Sequence, residues 1–561
     1  MPEVNPVSEL RSLISYEEQR ILNSFLLERR TGLMEISRSM DFYCASLNMG
    51  FLQNPEQFNE LELLISFGLN KAIYLFLDHS CSFPSFPLSC SNEQDRIWAN
   101  AVLNYCGHLG LCEHLLEINR IGLCELNKES EHVYRFEYSS NIPIGLESFE
   151  RDDFSWYSQF INHKQHNRRK ELETRQRKIW DIMSDLVDTW HTHYIQYEAH
   201  PEVDQFYQEH GILLNEKMFV HNCFPKDVKF GGYDFDLYQK AVGSVTGWAL
   251  KHTSFCTQLF KKNRQINLRN IITVPQNFDD LVIFLTHQLD IDFEAAKHLL
   301  ETLTLTNKNK NIHCATSGDL VSPAFIEVGQ GRVISTIWGK TIRPFKFMLD
   351  EIKRKYRSDW DRAVDRREVM FRSEIYALFS SSKFFKFDGN INIKIGGSTM
   401  TDIDALILDR STGILAIFQL KWQDSFGNSM RERESRKRNL LKTGNQWVDR
   451  VSHWLEENSI SEISKLCRLN QDDAKRVNGF RLFVIGRNAT HFSGLGNLDP
   501  RAAWGTWYQM LRLFTESVST SNPLDELYEL MIQDSPLKKP PLKLPPQELQ
   551  IGNVRIITSF K

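Results

Sequence analysis

The sequence has no apolar run approaching the roughly 20 residues that a membrane-spanning helix requires, which argues against a chain that crosses a bilayer. It has no Cys-x-x-Cys pair. Its 10 cysteines are scattered, a usage that suits reduced thiols in a cytoplasmic protein better than a disulfide framework. It has no surplus of basic residues, since 67 lysines and arginines against 71 acids leave a net charge of −4. That balance argues against a generally basic nucleic-acid binder. It leaves room for a local basic cleft, because the field a ligand meets is local. The opening residues MPEVNPVSELRSL have neither the basic start nor the apolar core of a secretory signal. There is no Walker loop, no Gly-rich dinucleotide loop and no nucleophile elbow, so ATP-driven and elbow-type hydrolase readings have no support. No internal repeat is visible.

What is present describes an ordinary globular protein. The chain has 561 residues, 41% of them apolar and 25% charged, enough for several domains with sizeable cores. Its most informative stretch is TDIDALILDRSTGILAIFQLKW, residues 401–422. This reads as two strands joined by a tight turn over Asp409, Arg410, Ser411, Thr412 and Gly413. Asp402 and Asp404 lie two apart and would share one face of a strand. The second strand, ILAIFQLKW, is almost wholly apolar, as a strand buried on both faces should be. Gln419 and Lys421 interrupt it near its end, again two apart. Burying an amide and an ammonium there is costly unless they are paired or meet a ligand.

These groups suit a hard divalent cation. Asp404 would supply a charged oxygen and Gln419 an amide oxygen. Such a cation polarises a phosphodiester and lowers the pKa of bound water. Lys421 would orient that water or offset charge in the transition state. Upstream, FRSEIYALF reads as a helix carrying Glu374, a further candidate ligand. The structural alternative is a satisfied Asp404–Lys421 ion pair inside a sheet.

The order Glu374, Asp404, then Gln419-Leu420-Lys421 ending an apolar strand resembles the PD-(D/E)xK, or restriction-endonuclease-like, nuclease superfamily. The stretch IDALILDRSTGILAIFQLKW is most similar to Mrr-type restriction endonucleases and nuclease-related (NERD) domains, over roughly residues 360–490. The resemblance implies an αβββαβ core. It also implies Mg²⁺ or Mn²⁺ held by Asp404, Gln419 and Glu374, with Lys421 completing the catalytic set. Gln419 stands where the motif more often has an acid. Mrr-type enzymes use Gln at this place and cleave DNA, but the change removes one negative charge from the metal site. Asp402 is the alternative ligand to Asp404, whose spacing to the Gln-x-Lys strand fits the superfamily hairpin better.

Beyond the strand, NSMRERESRKRNLLKTGNQWVDRVSHWLEEN reads as a helix. Ser429 and Glu432 have the spacing of a capping box. Leu441, Val448, Val451 and Leu455 share one face, with Trp447 and Trp454 at its edge. Arg438, Lys442 and Gln446 share the other. By the same resemblance, Lys442 and Gln446 are candidates to bind substrate phosphate. A solvated basic face is the plain alternative. GFRLFVIGRN, residues 479–488, reads as a further buried strand.

Residues 1–210 read as mostly helical. A hairpin over 122–139 after two helices suggests a winged-helix-like piece. Cys106, His108, Cys112 and His114 sit in one apolar periodic helix and read as packing residues rather than zinc ligands. His191, His193 and His200 read the same way, in a helix-like segment. Residues 163–190 read as a long solvated helix. Residues 211–350 read as helices plus a hairpin around Gly329 and Gly331, residues 351–515 as the nuclease-like domain, and 516–561 as a helix, a Pro-rich linker over 536–546 and a short strand. The expectation is therefore an α+β multidomain chain: a mostly helical N-terminal region and a C-terminal α/β restriction-endonuclease-like core. Its expected activity is a cytoplasmic, Mg-dependent endonuclease acting on DNA, resembling prokaryotic antiviral defence nucleases by fold-level analogy. The N-terminal helices would serve a homo-oligomer or a partner protein. The alternative is a catalytically decayed nuclease fold acting as a nucleic-acid-binding or scaffold protein.

Overall fold

The stretch with the strongest strand signal forms the middle of a five-stranded sheet. In the computed structural model, which describes residues 5–23, 29–48, 67–78, 88–138, 146–218, 221–314, 320–395, 398–422, 437–488, 498–516, 518, 521–535, 538 and 547–560, the chain is a mixed α+β protein. Helix α1 (Arg357–Leu378) leads into β1 (Phe384–Lys386). A two-stranded ribbon follows, β2 (Ile391–Ile395) with β3 (Ser398–Ile403). Then come β4 (Ala405–Asp409), β5 (Ile414–Lys421), α2 (Lys442–Glu457), β6 (Gly479–Gly486), β7 (Ala502–Thr506), α3 (Trp507–Glu516) and α4 (Pro523–Gln533). The sheet order is β1-β4-β5-β6-β7. The first three strands run antiparallel, and β5, β6 and β7 run parallel.

Alternation along β4 and β5 divides the core into two layers. Ala405, Ile407, Ala416, Phe418 and Leu420 pack with Phe371 and Ile375 of α1 and with α3 and α4. Leu406, Leu408, Leu415 and Ile417 pack with Trp447, Val448 and Val451 of α2. The expected turn closes on Gly413, whose φ of 75° is left-handed. A Cβ there would meet the Arg476 carbonyl oxygen at 2.1 Å, so only glycine fits. Asp409 steadies the same turn by accepting from the Ser411 N–H at 2.9 Å.

One expectation needs correction. Asp402 and Asp404 do not lie on one strand. The chain bends at Asp404, so Asp402 belongs to the separate ribbon and Asp404 precedes β4. The Ser429–Glu432 cap lies outside the described residues, and so does the Pro-rich segment apart from Lys538.

The hairpin over 124–138 forms, but not as a free wing. Val133–Tyr138 pairs antiparallel with Cys124–Ser130 on one side and parallel with Val554–Phe560 on the other, and Gln547–Ile551 completes a four-stranded sheet. Residues 187–197 are also a hairpin rather than a helix. His191 and Thr192 adopt φ of 47° and 61° in its three-residue tip, between the paired Trp190 and Tyr194. The hairpin around Gly329 and Gly331 forms as expected and sits in a second four-stranded sheet with Val274–Asn277 and Thr304–Leu305. Cys106 and Cys112 are buried in the helix Glu93–Arg120, while His108 faces the Gln550 carbonyl at 3.1 Å. Among the described residues, no helix is long and apolar enough to cross a membrane.

Candidate active site

Asp404 stands where the ribbon meets the sheet. Its N–H donates to the Phe418 carbonyl at 3.1 Å, which locks it beside the end of β5. Its side chain is buried, as is that of Gln419. The Leu420 N–H donates to Asp404 Oδ2 at 2.7 Å, and the Gln419 amide donates to the same oxygen. Arg372, on α1, donates to the Asp404 carbonyl at 2.8 Å and to Asn390 Oδ1 at 2.6 Å. Trp447, on α2, donates to the Asp402 carbonyl at 2.6 Å. Helices on both sides of the sheet thus fix the backbone on either side of the bend.

Lys421 falls on the same face as Gln419 by strand alternation. Its ammonium is half-buried and makes no hydrogen bond or ion pair with a described residue. The satisfied Asp404–Lys421 pair weighed as the structural alternative does not form. Lys421 instead acts through space on Asp404 and on Glu368 of α1. Burial pushes the Asp404 carboxyl up to about 7, Lys421 and the Leu420 N–H pull it down, and Glu368 and Asp402 push it further up. Burial also raises Glu368, with Asp402 and Asp365 adding to the rise and Lys421 and Arg372 opposing it. Two carboxyls are therefore partly desolvated with no direct cationic partner among the described residues, the environment that favours protonation until positive charge arrives.

Glu374 does not join this group. It forms an ion pair with Arg487, which follows β6. Six residues carry it about 120° around the helix from Glu368. Arg487 is buried and lies over the rings of Trp422 at 4.8 Å and Phe371 at 5.6 Å. Arg367 reaches Trp422 from another direction at 5.7 Å and Phe224 at 3.8 Å. Trp422, the residue after Lys421, is thus held between two guanidinium groups, and Glu374 serves that brace.

Lys442 and Gln446 are exposed, one turn apart at the start of α2. That helix is drawn in close to β7, because a Cβ on Gly444 would meet the Trp504 ring at 2.5 Å. The α-helix begins at Lys442, and Leu441, expected on its apolar face, belongs to a wider π-turn over Lys437–Leu441.

Among the described residues, no three His, Cys, Asp or Glu side chains converge tightly enough to hold a metal by themselves. A cation here would have to complete its shell from Gln419, backbone, water or substrate oxygens, as Mg²⁺ commonly does. Glu368, Arg372, Trp422 and Arg487 were not singled out from the sequence. Only the i, i+4 spacing of Glu368 and Arg372 offered a signal. Compared with known proteins, the chain matches no family model, no curated protein and no solved structure.

Proposed function

We propose that this protein is a metal-dependent nuclease of the PD-(D/E)xK type, cleaving phosphodiester bonds of DNA. The observation that carries the reading is the gathering of Asp404, Gln419, Lys421 and Glu368 at one end of β5, with neither the carboxyls nor the ammonium in an ion pair among the described residues. The succession α1, β1, β4, β5, α2, β6 supports it, being the αβββαβ order that the resemblance leads one to expect.

Asp404 and Gln419 would hold Mg²⁺ or Mn²⁺, with Glu368 in the place expected for Glu374. Bound there, the cation would activate water and neutralise charge on the phosphate. Lys421 would carry positive charge to the attacking water or the developing oxyanion. Arg372 holds the Asp404 backbone still. Lys442 and Gln446 would meet the substrate backbone, and only as phosphate contacts, which position without specifying sequence.

The second reading is a nucleic-acid-binding or scaffold protein with a decayed site. It is favoured by one contact: the Gln419 amide donates into the Asp404 oxygen that a cation would use. Plasmid, linear DNA and RNA incubated with Mg²⁺, Mn²⁺ or EDTA separate the two. Metal-dependent cutting should fall at least 100-fold in Asp404→Ala and Lys421→Ala. Binding of DNA by wild type with no cutting of any substrate would remove the nuclease reading.

A further inference from the structure

The helix Leu146–Lys164 docks on the domain just described. Its Asp153 accepts from Arg512 at 3.2 Å, and its Phe154 packs edge-on against Tyr508. Gln165 then joins it to the helix His166–Leu186, which lies against Pro201–Glu216. Three basic side chains meet at this joint: Arg169 on the first helix, and His210 and Lys217, two turns apart, on the second.

None of the three side chains makes a hydrogen bond or ion pair with a described residue. Arg169 Nε and His210 Nδ1 are buried with no hydrogen-bond partner among the described residues. The His210 ring lies edge-on to Phe206, with ring centroids 6.1 Å apart. The nearby acid is already engaged, since Glu216 accepts from Gln165 at 2.7 Å and from Arg168 at 3.0 Å. The three groups are close enough to act on one another through space. Burial lowers His210, and Lys217 and Arg169 add to the effect. Burial pushes Lys217 down to about 8, with Arg169 adding to it. In the same place the helix His166–Leu186 starts with no side-chain cap on its first N–H groups.

We infer that the joint formed by Arg169, His210, Lys217 and the start of the helix His166–Leu186 binds a phosphate group. The chemistry fits: a guanidinium fork and an ammonium suit phosphate oxygens. The phosphate belongs either to a nucleic-acid backbone or to a free phosphorylated small molecule. The inference does not depend on the nuclease reading, and its test is run in EDTA so that cleavage plays no part.

Melting is followed for the full chain, with Lys217→Met (which keeps the apolar stem) and Arg169→Gln. Chloride buffer is compared at equal ionic strength with inorganic phosphate, with adenosine 5′-monophosphate, and with a 12-nucleotide strand lacking terminal phosphates. In chloride, Lys217→Met should melt at the wild-type temperature or higher, because it relieves like-charge repulsion. At least one probe should stabilise wild type, and both variants should weaken that binding about tenfold. A response to the oligonucleotide whose salt dependence flattens in the variants identifies a backbone phosphate. A response confined to phosphate and the mononucleotide identifies a small ligand. Wild type unmoved by every probe, variants as responsive as wild type, or a lower melting temperature for Lys217→Met in chloride would each overturn the inference. The last would mean that Lys217 already has an anionic partner within the fold.

Discussion

A buried carboxyl without a counter-ion keeps its proton until positive charge comes near, and a buried imidazole does the reverse. Both cases occur in this chain. Asp404 is the first, and its pull toward protonation is what a cation at the site would relieve. His252 is the second. It is largely buried on the helix Phe235–Lys262, with Nδ1 at 3.0 Å from the Tyr197 hydroxyl and Nε2 at 2.9 Å from the Ile271 carbonyl. A neutral ring satisfies both contacts, accepting from the tyrosine and donating to the carbonyl. Burial pushes its pKa down to about 4, and Lys340 adds to the fall. The folded value lies below the unfolded one, so the stability this residue contributes is present above pH 6.5 and is lost as pH falls through 4. Fully developed, the loss is roughly 3 kcal/mol. Denaturant titrations between pH 7 and pH 4.5 should show a decline that is shallower in His252→Gln. Equal slopes for the two proteins would show that other groups govern acid sensitivity.

At the scale of elements, α1 presents two glutamates to two different surroundings, and their substitution should separate site from scaffold. Glu368→Gln removes a carboxyl that acts on Asp404, so metal affinity should fall about tenfold or more with melting little changed. Glu374→Gln leaves buried Arg487 without its carboxylate, which should cost about 3–5 kcal/mol of stability and leave metal affinity close to wild type. Calorimetric Mn²⁺ titration beside thermal melts reads both, and a reversed pattern would return Glu374 to the site. The sequence made β5 legible, because packing alone does not place Gln419 and Lys421 in an otherwise apolar strand. It made the Asp409–Gly413 turn legible through its composition. It did not reveal which acid of α1 turns inward, since Asp359, Asp361, Asp365, Glu368 and Glu374 are equivalent until the helix is docked. Nor did it reveal the bend at Asp404, which depends on the ribbon leaving the sheet. The hairpin at His191 escaped for a related reason: its positive-φ tip carries His and Thr, where glycine or asparagine would have signalled a turn.

At the scale of the whole molecule, the two ends of the chain are structurally joined. Strand Val554–Phe560 runs parallel to Val133–Tyr138, and Leu549, Ile551, Val554 and Ile556 are buried in the core of the N-terminal helices. Exposing four such side chains costs on the order of 5–10 kcal/mol, comparable with the whole stability of a domain. It would also bare the edge of Val133–Tyr138, a template for strand pairing between molecules. Deleting residues 547–561 should therefore lower the first melting transition by tens of degrees and produce self-association in sedimentation or light scattering. A monomeric product with unchanged melting would show that the last two strands are dispensable. The consequence reaches the test of the N-terminal region as an independent binding module. Removing residues 350–561 strips that region of half a sheet, so lost partner binding would report unfolding as readily as a lost interface. Point substitutions on its surface, in the full chain, separate those outcomes, and so does the Asp404→Ala protein, which keeps all four strands of the N-terminal sheet.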